Sequence, residues 1–401
     1  MLTPPKLSLY IHIPWCVQKC PYCDFNSHAL KSGIPEQAYI NALLEDLDQD
    51  LQRYQLSASF DHDKRAHDSS GHDQPRKLHS IFIGGGTPSL ISPSEIKRLL
   101  DGVQARLAFQ PDIEITMEAN PGTIEAERFA QYRQAGVTRI SIGVQSFDNE
   151  KLTKLGRIHG SEEATRAARL AHQIGLKSFN LDLMHGLPGQ TLSQAMADLD
   201  QAIALEPPHL SWYQLTIEPN TLFYSQPPRL PDDDLLWDIF EQGHQKLTQA
   251  GYIQYEISGY SKPGFQCQHN LNYWRFGDYL GIGCGAHGKI SFANGSIIRT
   301  TKVKHPKGYL NLLKPYLDHE AEVLAKDRPF EFFMNRFRLI EPCPKQDFPE
   351  TTGLPIATVQ PTIDWAKQQG FLDETEQHWQ ITERGKLFLN DLLAEFMADE
   401  E

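Results

Sequence analysis

The sequence predicts an α/β fold built on a parallel sheet, followed by a smaller, mainly helical domain. Six apolar, β-branched segments each run into a polar or glycine-rich turn, and stretches with helical spacing separate them. Strand–helix alternation repeated in this way marks βα units, whose strands lie parallel. The spacing suits a βα barrel or a doubly wound sheet. From about residue 325 the pattern changes to helix, short hairpin, helix in TVQPTIDWAKQQGFLDETEQHWQITERGKLFLNDLLAEF. That order predicts a winged-helix-like module.

The first strand is LSLYIHIP (7–14), and the helix YINALLEDLDQDLQRY follows. The second is SIFIGGG (80–86). Behind it, SPSEIKRLLDGVQARL has Ser92 placed to cap, Pro93 at the first helical position and Glu95 to complete a capping box. The other strands are DIEITMEANP (112–121), TRISIGVQSF (138–147), SFNLDLMHGLPG (178–189) and HLSWYQLTIEP (209–219). Their near-continuous apolar character predicts burial on both faces. SASFDHDKRAHDSSGHDQPRK (57–77), with His62, His67 and His72, is a polar loop insertion. Further on, PDDDLLWDIFEQGHQKLTQAG reads as a helix, and YEISGY and YLGIGCGAHGKISF as strands. The chain divides accordingly into a βα unit over 1–230, a flanking segment over 231–320 and the C-terminal module over 321–401.

Composition narrows the function. The net charge of −13 runs against the Lys/Arg surplus that phosphate contact demands, which argues against nucleic acid as a main partner. No apolar run approaches the roughly 20 residues of a membrane helix, and MLTPPKLSLY does not read as a secretory leader. The expected location is cytoplasmic. Of six cysteines, Cys16, Cys20 and Cys23 cluster in WCVQKCPYCDF, which in a reducing compartment points to metal or catalysis rather than disulfides.

In parallel α/β folds the C-terminal strand ends share one face, and that face holds the active site. The cysteine loop, GGGTPS, EANP, GVQSF and DLMHGLPG therefore converge. Three thiolates with His12 or His28 would close a zinc tetrahedron. Three thiolates on a four-iron cubane would instead leave one iron open to a ligand. The glycines of GGGTPS expose bare backbone to such a ligand. Glu118 and Asp182 are placed to accept from hydroxyls or an ammonium group, and Gln145 and Arg157 to hold a carboxylate. GCGAHG (283–288) has the outline of a dinucleotide fingerprint, but KISFANGSIIRT after it reads as a hairpin, not a helix. His269 in HNLNYW is a reasonable heme-iron ligand, Tyr273 and Trp274 suit packing on a porphyrin, and Cys267 is a second candidate ligand.

Together these motifs resemble the radical S-adenosylmethionine (SAM) superfamily. Y-x-H-I-P-x-C, GGGTPS, E-x-N-P, S-I-G-V-Q-S, L-G-R-x-H and N-L-D-L-M-H-G-L-P are similar to the branch containing oxygen-independent coproporphyrinogen III dehydrogenase. The dehydrogenase carries one more cysteine, where this chain has Phe25. That difference and H-N-x-x-Y-W resemble the heme chaperones of the branch. The resemblance implies an incomplete six-strand (βα) TIM-like barrel and a C-terminal domain. It implies a 4Fe–4S cluster on Cys16, Cys20 and Cys23, with SAM on the fourth iron near Tyr10, Gly85 and Glu118. Tyr22, Gly86, Thr87, Gln145, Arg157 and Asp182 match positions that hold a second SAM in the dehydrogenase; Thr216 and His287 are weaker matches. It further implies heme at His269, a heme acceptor protein as partner, a heme or electron donor protein as another, and no coproporphyrinogen dehydrogenase activity.

Overall fold

The computed structural model describes residues 2–30, 33–56, 76–311 and 313–397. Most of the polar insertion, with its three histidines, lies outside them. The six expected strands are β1 (Leu7–Ile13), β2 (Leu78–Gly85), β3 (Phe109–Ala119), β4 (Arg139–Gln145), β5 (Ser178–His185) and β6 (His209–Gln214). They pair in parallel and in chain order. Helices α1 (Glu36–Arg53), α2 (Pro93–Gln104), α3 (Phe129–Ala135), α4 (Ser161–Gln173) and α5 (Leu192–Ala204) connect them.

Each helix exists because one stripe is apolar. In α2, Ile96, Leu99, Leu100 and Val103 are buried, the i, i+3, i+4, i+7 face of a helix. Each such side chain contributes about 1.5–3 kcal/mol on burial. Pro93 opens α2 as expected, but Ser92 does not cap it. Its hydroxyl donates to Glu36 Oε2 at 2.6 Å, tying α2 to α1, while Glu95 pairs with Arg98.

The strands are buried on both faces, as expected, but apolar on only one. Leu9, Ile11, Ile81, Ile83, Ile115, Met117, Leu181 and Leu183 join the core under the helices. Their alternates Ser8, Tyr10, His12, Ser80, Thr116, Glu118, Asn180 and Asp182 necessarily face the other way, because successive strand side chains point to opposite sides. The inner face carries a hydrogen-bonded network instead of a core. Asn180 Nδ2 donates to Ser141 Oγ at 2.8 Å, and His209 bridges Asn180 Oδ1 (2.7 Å) and the Tyr255 hydroxyl (2.8 Å). Residues from the ends of β2 through β6 line one cavity of about 550 Å³. A flat sheet could not bring those ends together, so the strands curl into an open barrel.

The flanking segment continues the same sheet. α6 (Asp233–Gln249) leads to the short β7 (Ile253–Gln254) and β8 (Gly259–Ser261), antiparallel beyond β6. After α7 (Gln268–Trp274), β9 (Asp278–Ile282) returns to pair in parallel with β1. β10 (His287–Ser291), β11 (Ile297–Lys302) and β12 (Leu317–Glu322) extend that edge, giving the order β12-β11-β10-β9-β1-β2-β3-β4-β5-β6-β8-β7. GCGAHG is the turn between β9 and β10, and β10–β11 is the expected hairpin.

In the C-terminal module, α8 (Arg328–Arg336), β13 (Cys343–Pro344), α9 (Gln360–Gln368), β14 (Leu372–Glu374) and β15 (His378–Ile381) precede two short helices. Phe332, Phe333, Phe337, Phe348, Trp379 and Phe396 make its core, with Phe333 and Phe396 rings 4.2 Å apart. Phe276, Ile297 and Leu2 join that core, so the module is packed onto the flanking segment. Among the described residues, no helix is long and apolar enough to cross a membrane.

Candidate functional site

Cys16, Cys20 and Cys23 line the cavity at the C-terminal strand ends. The loop that holds them is closed by a two-residue parallel pairing, Trp15–Cys16 with His28–Ala29, and by the Cys23 N–H donating to the Cys20 carbonyl at 3.2 Å. Burial pushes the Cys16 and Cys23 thiols up. Arg157 Nη1 lies 3.7 Å from Cys20 Sγ. The two histidines that could complete a zinc site are committed elsewhere. His12 Nε2 donates to the Asn26 carbonyl at 2.8 Å and its Nδ1 accepts from the Tyr10 hydroxyl at 2.9 Å; His28 Nε2 donates to the Lys304 carbonyl at 3.2 Å. Among the described residues, no three His, Cys, Asp or Glu side chains converge closely enough to hold a single ion. Three thiols that share a cavity without meeting at a point fit a polynuclear cluster, in which each takes a different iron.

The three glycines serve the protein's own packing. A β-carbon on Gly84 would press on Phe82 and Glu118, one on Gly85 would enter the His12 ring at 2.5 Å, and one on Gly86 would strike the Trp15 carbonyl at 2.5 Å. Gly85 also has φ of 113°, a left-handed conformation that glycine tolerates. They let β2 close onto the cysteine loop. Gly85 and Gly86 still line the cavity, as do Thr87, Tyr22, Gln145, Arg157 and Asp182.

Gln145 sits at φ 68°, at an irregularity in the β4–β5 pairing that turns its side chain toward Tyr213, whose hydroxyl donates to Gln145 Oε1 at 3.0 Å. Arg157 Nη2 donates to Asn120 Oδ1 (2.8 Å) and the Gly143 carbonyl (2.7 Å). Asp182 accepts from Ser141 Oγ (3.0 Å) and Asn180 Nδ2 (2.8 Å), and burial raises its carboxyl. Glu118 accepts from the Gly85 N–H at 3.0 Å. Burial, then the nearby Asp182, pushes its carboxyl up to about 8. Two carboxyl groups that contact no cation among the described residues suit a ligand that brings an ammonium or sulfonium charge and ribose hydroxyls.

The Glu118 shift has a pH signature. The native state keeps this proton to about pH 8, whereas the unfolded chain releases it near 4.5. Between those values the native state binds more protons, so stability falls as pH rises. Unfolding followed at pH 5 and pH 9 should show wild type losing about 2–4 kcal/mol relative to Glu118→Gln, which has no such proton. Parallel pH curves for the two proteins would refute the shift.

A second cavity of about 580 Å³ adjoins the first, sharing Phe25, Gly85, Glu118, Asn270 and Trp274. Its wall is aromatic: Tyr10, Phe82, Tyr273, Trp274 and Tyr279, with His269 and His287. Tyr10, expected near SAM with Gly85 and Glu118, lines this second cavity, which those two residues share with the first. α7 delivers His269 and is held by a relay: Asn272 Nδ2 donates to Ser8 Oγ (2.9 Å), which contacts Ser80 Oγ (2.7 Å), which contacts His269 Nδ1 (3.0 Å). The His269 Nε2 has no hydrogen bond among the described residues. Burial drops its pKa to about 3, so the ring is neutral, the state a metal ligand requires. Phe25, where the dehydrogenase has cysteine, is 59% exposed between the two cavities.

Two candidates fall outside. Cys267 is fully buried, with Sγ donating to Glu114 Oε1 at 3.4 Å, and lines neither cavity. Thr216 is exposed and lines neither. Phe82, Tyr279, Glu256 and Arg338 line the cavities without having been singled out in the sequence. Phe82 was the most accessible to inference, as the inward alternate between Ile81 and Ile83; Arg338 gave no local signal.

An open barrel with three thiols at the mouth defines a class, and the comparisons agree with it. The Radical SAM superfamily pattern matches residues 10–202, and that of the HemN C-terminal domain matches residues 323–388. Among solved structures, coproporphyrinogen III oxidase (HemN) from Escherichia coli, described as a radical SAM enzyme, superposes with a TM-score of 0.79 at 22% identity, over 98% of this chain and 90% of that one. That likeness is one of fold. The chain is 62% identical over 399 residues to the heme chaperone HemW of Escherichia coli (strain K12), covering 100% of both, and 34% identical over 403 residues to that of Bacillus subtilis (strain 168), covering 98% of this chain and 99% of the relative. The chain belongs to the HemW family.

Proposed function

We propose that this protein is a heme chaperone that binds heme in the aromatic cavity and passes it to an acceptor protein. A heme or electron donor protein would be a further partner. Cys16, Cys20 and Cys23 hold a 4Fe–4S cluster, and Tyr10, Gly85 and Glu118 face SAM at its open iron. Tyr22, Gly86, Thr87, Gln145, Arg157 and Asp182 form the outer wall of that pocket. When bound and reduced, the cluster supplies one-electron chemistry to a sulfonium. The chain's own residues orient the ligand, exclude water and hold the Glu118 proton.

The observation that carries the heme reading is His269: buried, neutral, fixed through Nδ1 by Ser80, with Nε2 unengaged beside an aromatic cavity. A partner behind a metal-bound histidine fixes its orientation, and losing even such a partner costs about 10–100-fold in metal affinity. In an anaerobic hemin titration, His269→Ala should bind at least about tenfold more weakly and lose the histidine-ligated absorption spectrum. Unchanged affinity and spectrum would remove His269 from the site. Formation of protoporphyrinogen from coproporphyrinogen III at a catalytic rate, with reductant and SAM, would favour the dehydrogenase instead.

A further inference from the structure

Two arginines line the cysteine cavity, and they differ. Arg157 is committed through Nη1 and Nη2 to Cys20, Asn120 and Gly143, although its Nε, like that of Arg338, has no acceptor among the described residues. Arg338, from the C-terminal domain, has no side-chain hydrogen bond or ion pair among the described residues, and its Nε is shut off from solvent with no acceptor. The guanidinium lies 4.4 Å over the Trp274 ring. Its backbone is pinned from both sides: the Arg338 carbonyl accepts from the Ile257 N–H at 3.1 Å, and the Ile340 N–H donates to the Tyr255 carbonyl at 3.1 Å. Glu256, a buried carboxyl of the same cavity on which the Arg338 charge acts, accepts from the Ser258 N–H at 3.1 Å and, among the described residues, makes no contact ion pair with Arg338. A guanidinium held in place, stacked and left without an acceptor at a cavity wall is arranged to receive one.

We infer that Arg338 binds a carboxylate, specifically a propionate of the tetrapyrrole in the aromatic cavity; this rests on the heme reading above. Trp274 borders both cavities. A macrocycle on the aromatic side of that wall would meet apolar rings, and a carboxylate at its edge would meet the guanidinium, whose planar fork matches it bidentately. The methionyl carboxylate of SAM offers the same chemistry. Arg338 lines the cysteine cavity and not the aromatic one, so a propionate reaches it past Trp274, the residue that borders both and against which the guanidinium stacks at 4.4 Å; that contact favours the propionate.

The test compares the full-length, cluster-loaded wild type with Arg338→Ala and Arg338→Lys. The probes are hemin, hemin dimethyl ester and SAM. Charge-assisted pairing predicts that Arg338→Ala binds hemin on the order of ten- to a hundredfold more weakly. The ester and SAM should bind as to wild type, and Arg338→Lys should recover part of the loss. Matching iron content and near-ultraviolet circular dichroism establish that the variants are folded. Equal losses for hemin and its ester would reduce Arg338 to a packing partner of Trp274 and overturn the inference. So would a loss confined to SAM, or no loss at all. If wild type and His269→Ala bind hemin alike, His269 leaves the site, the placement of heme in the aromatic cavity fails, and this inference falls with it. If those two differ while Arg338→Ala matches wild type, only the carboxylate assignment is wrong.

Discussion

Replacing Cys16, Cys20 and Cys23 together with alanine should abolish the cluster while leaving hemin binding in place. Anaerobically reconstituted wild type should carry about four iron and four sulfide per chain, and the triple variant close to none. The reason is the scarcity of substitutes. His12 and His28 are tied to backbone carbonyls, and Cys284, in the β9–β10 turn, is buried with its Sγ donating to the Lys304 carbonyl at 3.0 Å. Hemin binding should survive because His269 is oriented from beneath by Ser80, Ser8 and Asn272, none of which hydrogen-bonds to the cysteine loop among the described residues. Iron and sulfide assays, with hemin titration of the same samples, decide it. Retained iron would mean that other ligands hold the cluster. Simultaneous loss of hemin would mean that the two adjoining cavities act as one site. A colourless wild type holding one zinc per chain would return the site to the structural-zinc alternative.

How much of this could be read from the residues follows from the range of the interactions involved. The six parallel strands and their helices are local patterns, and all six occur where the alternation puts them. The thiols and the polar strand ends converge because a parallel sheet leaves its turns on one face. What failed to show is non-local. β9 enters beside β1 although nearly the whole barrel separates them in sequence, and no local feature of DYLGI says so. The inner alternates Ser8, Ser80 and Asn180 look like weak spots in apolar strands until His269 and His209 are brought against them from distant segments. GGGTPS reads as bare backbone for a ligand because the rings and carbonyls that fill the space, His12 and Trp15, belong to another strand and its loop. Arg338 gains its meaning only from Trp274, and Cys267 loses its role only because Glu114 takes its thiol.

Replacing Lys302 with methionine should cost about 3–5 kcal/mol of stability, more than any single surface change. Lys302 Nζ is buried between Asp46 (2.5 Å) and Asp50 (2.6 Å), whose carboxyls are also buried. Asp46 also accepts from the Tyr309 hydroxyl at 2.6 Å and from the Gly283 N–H at 3.1 Å. The cluster therefore joins α1 to β11 and to the glycine turn after β9, and that turn holds β9 against β1 beneath Tyr10 and His12. Removing the Lys302 cation leaves two buried carboxylates close together in a low-dielectric interior, and that uncompensated charge, rather than the lost attraction, is the main cost. Lys302→Met combined with Asp46→Asn and Asp50→Asn should recover most of the loss, because neutral amides need no counter-ion and still offer the Gly283 N–H an acceptor. Urea unfolding of the single and triple variants measures both effects. Equal destabilisation in the two would assign the cost to packing, and an unaffected single variant would mean that water or a mobile cation already reaches the pair. A hemin affinity that fell with the single variant and returned with the triple would connect this corner to the aromatic cavity through β9 and β1.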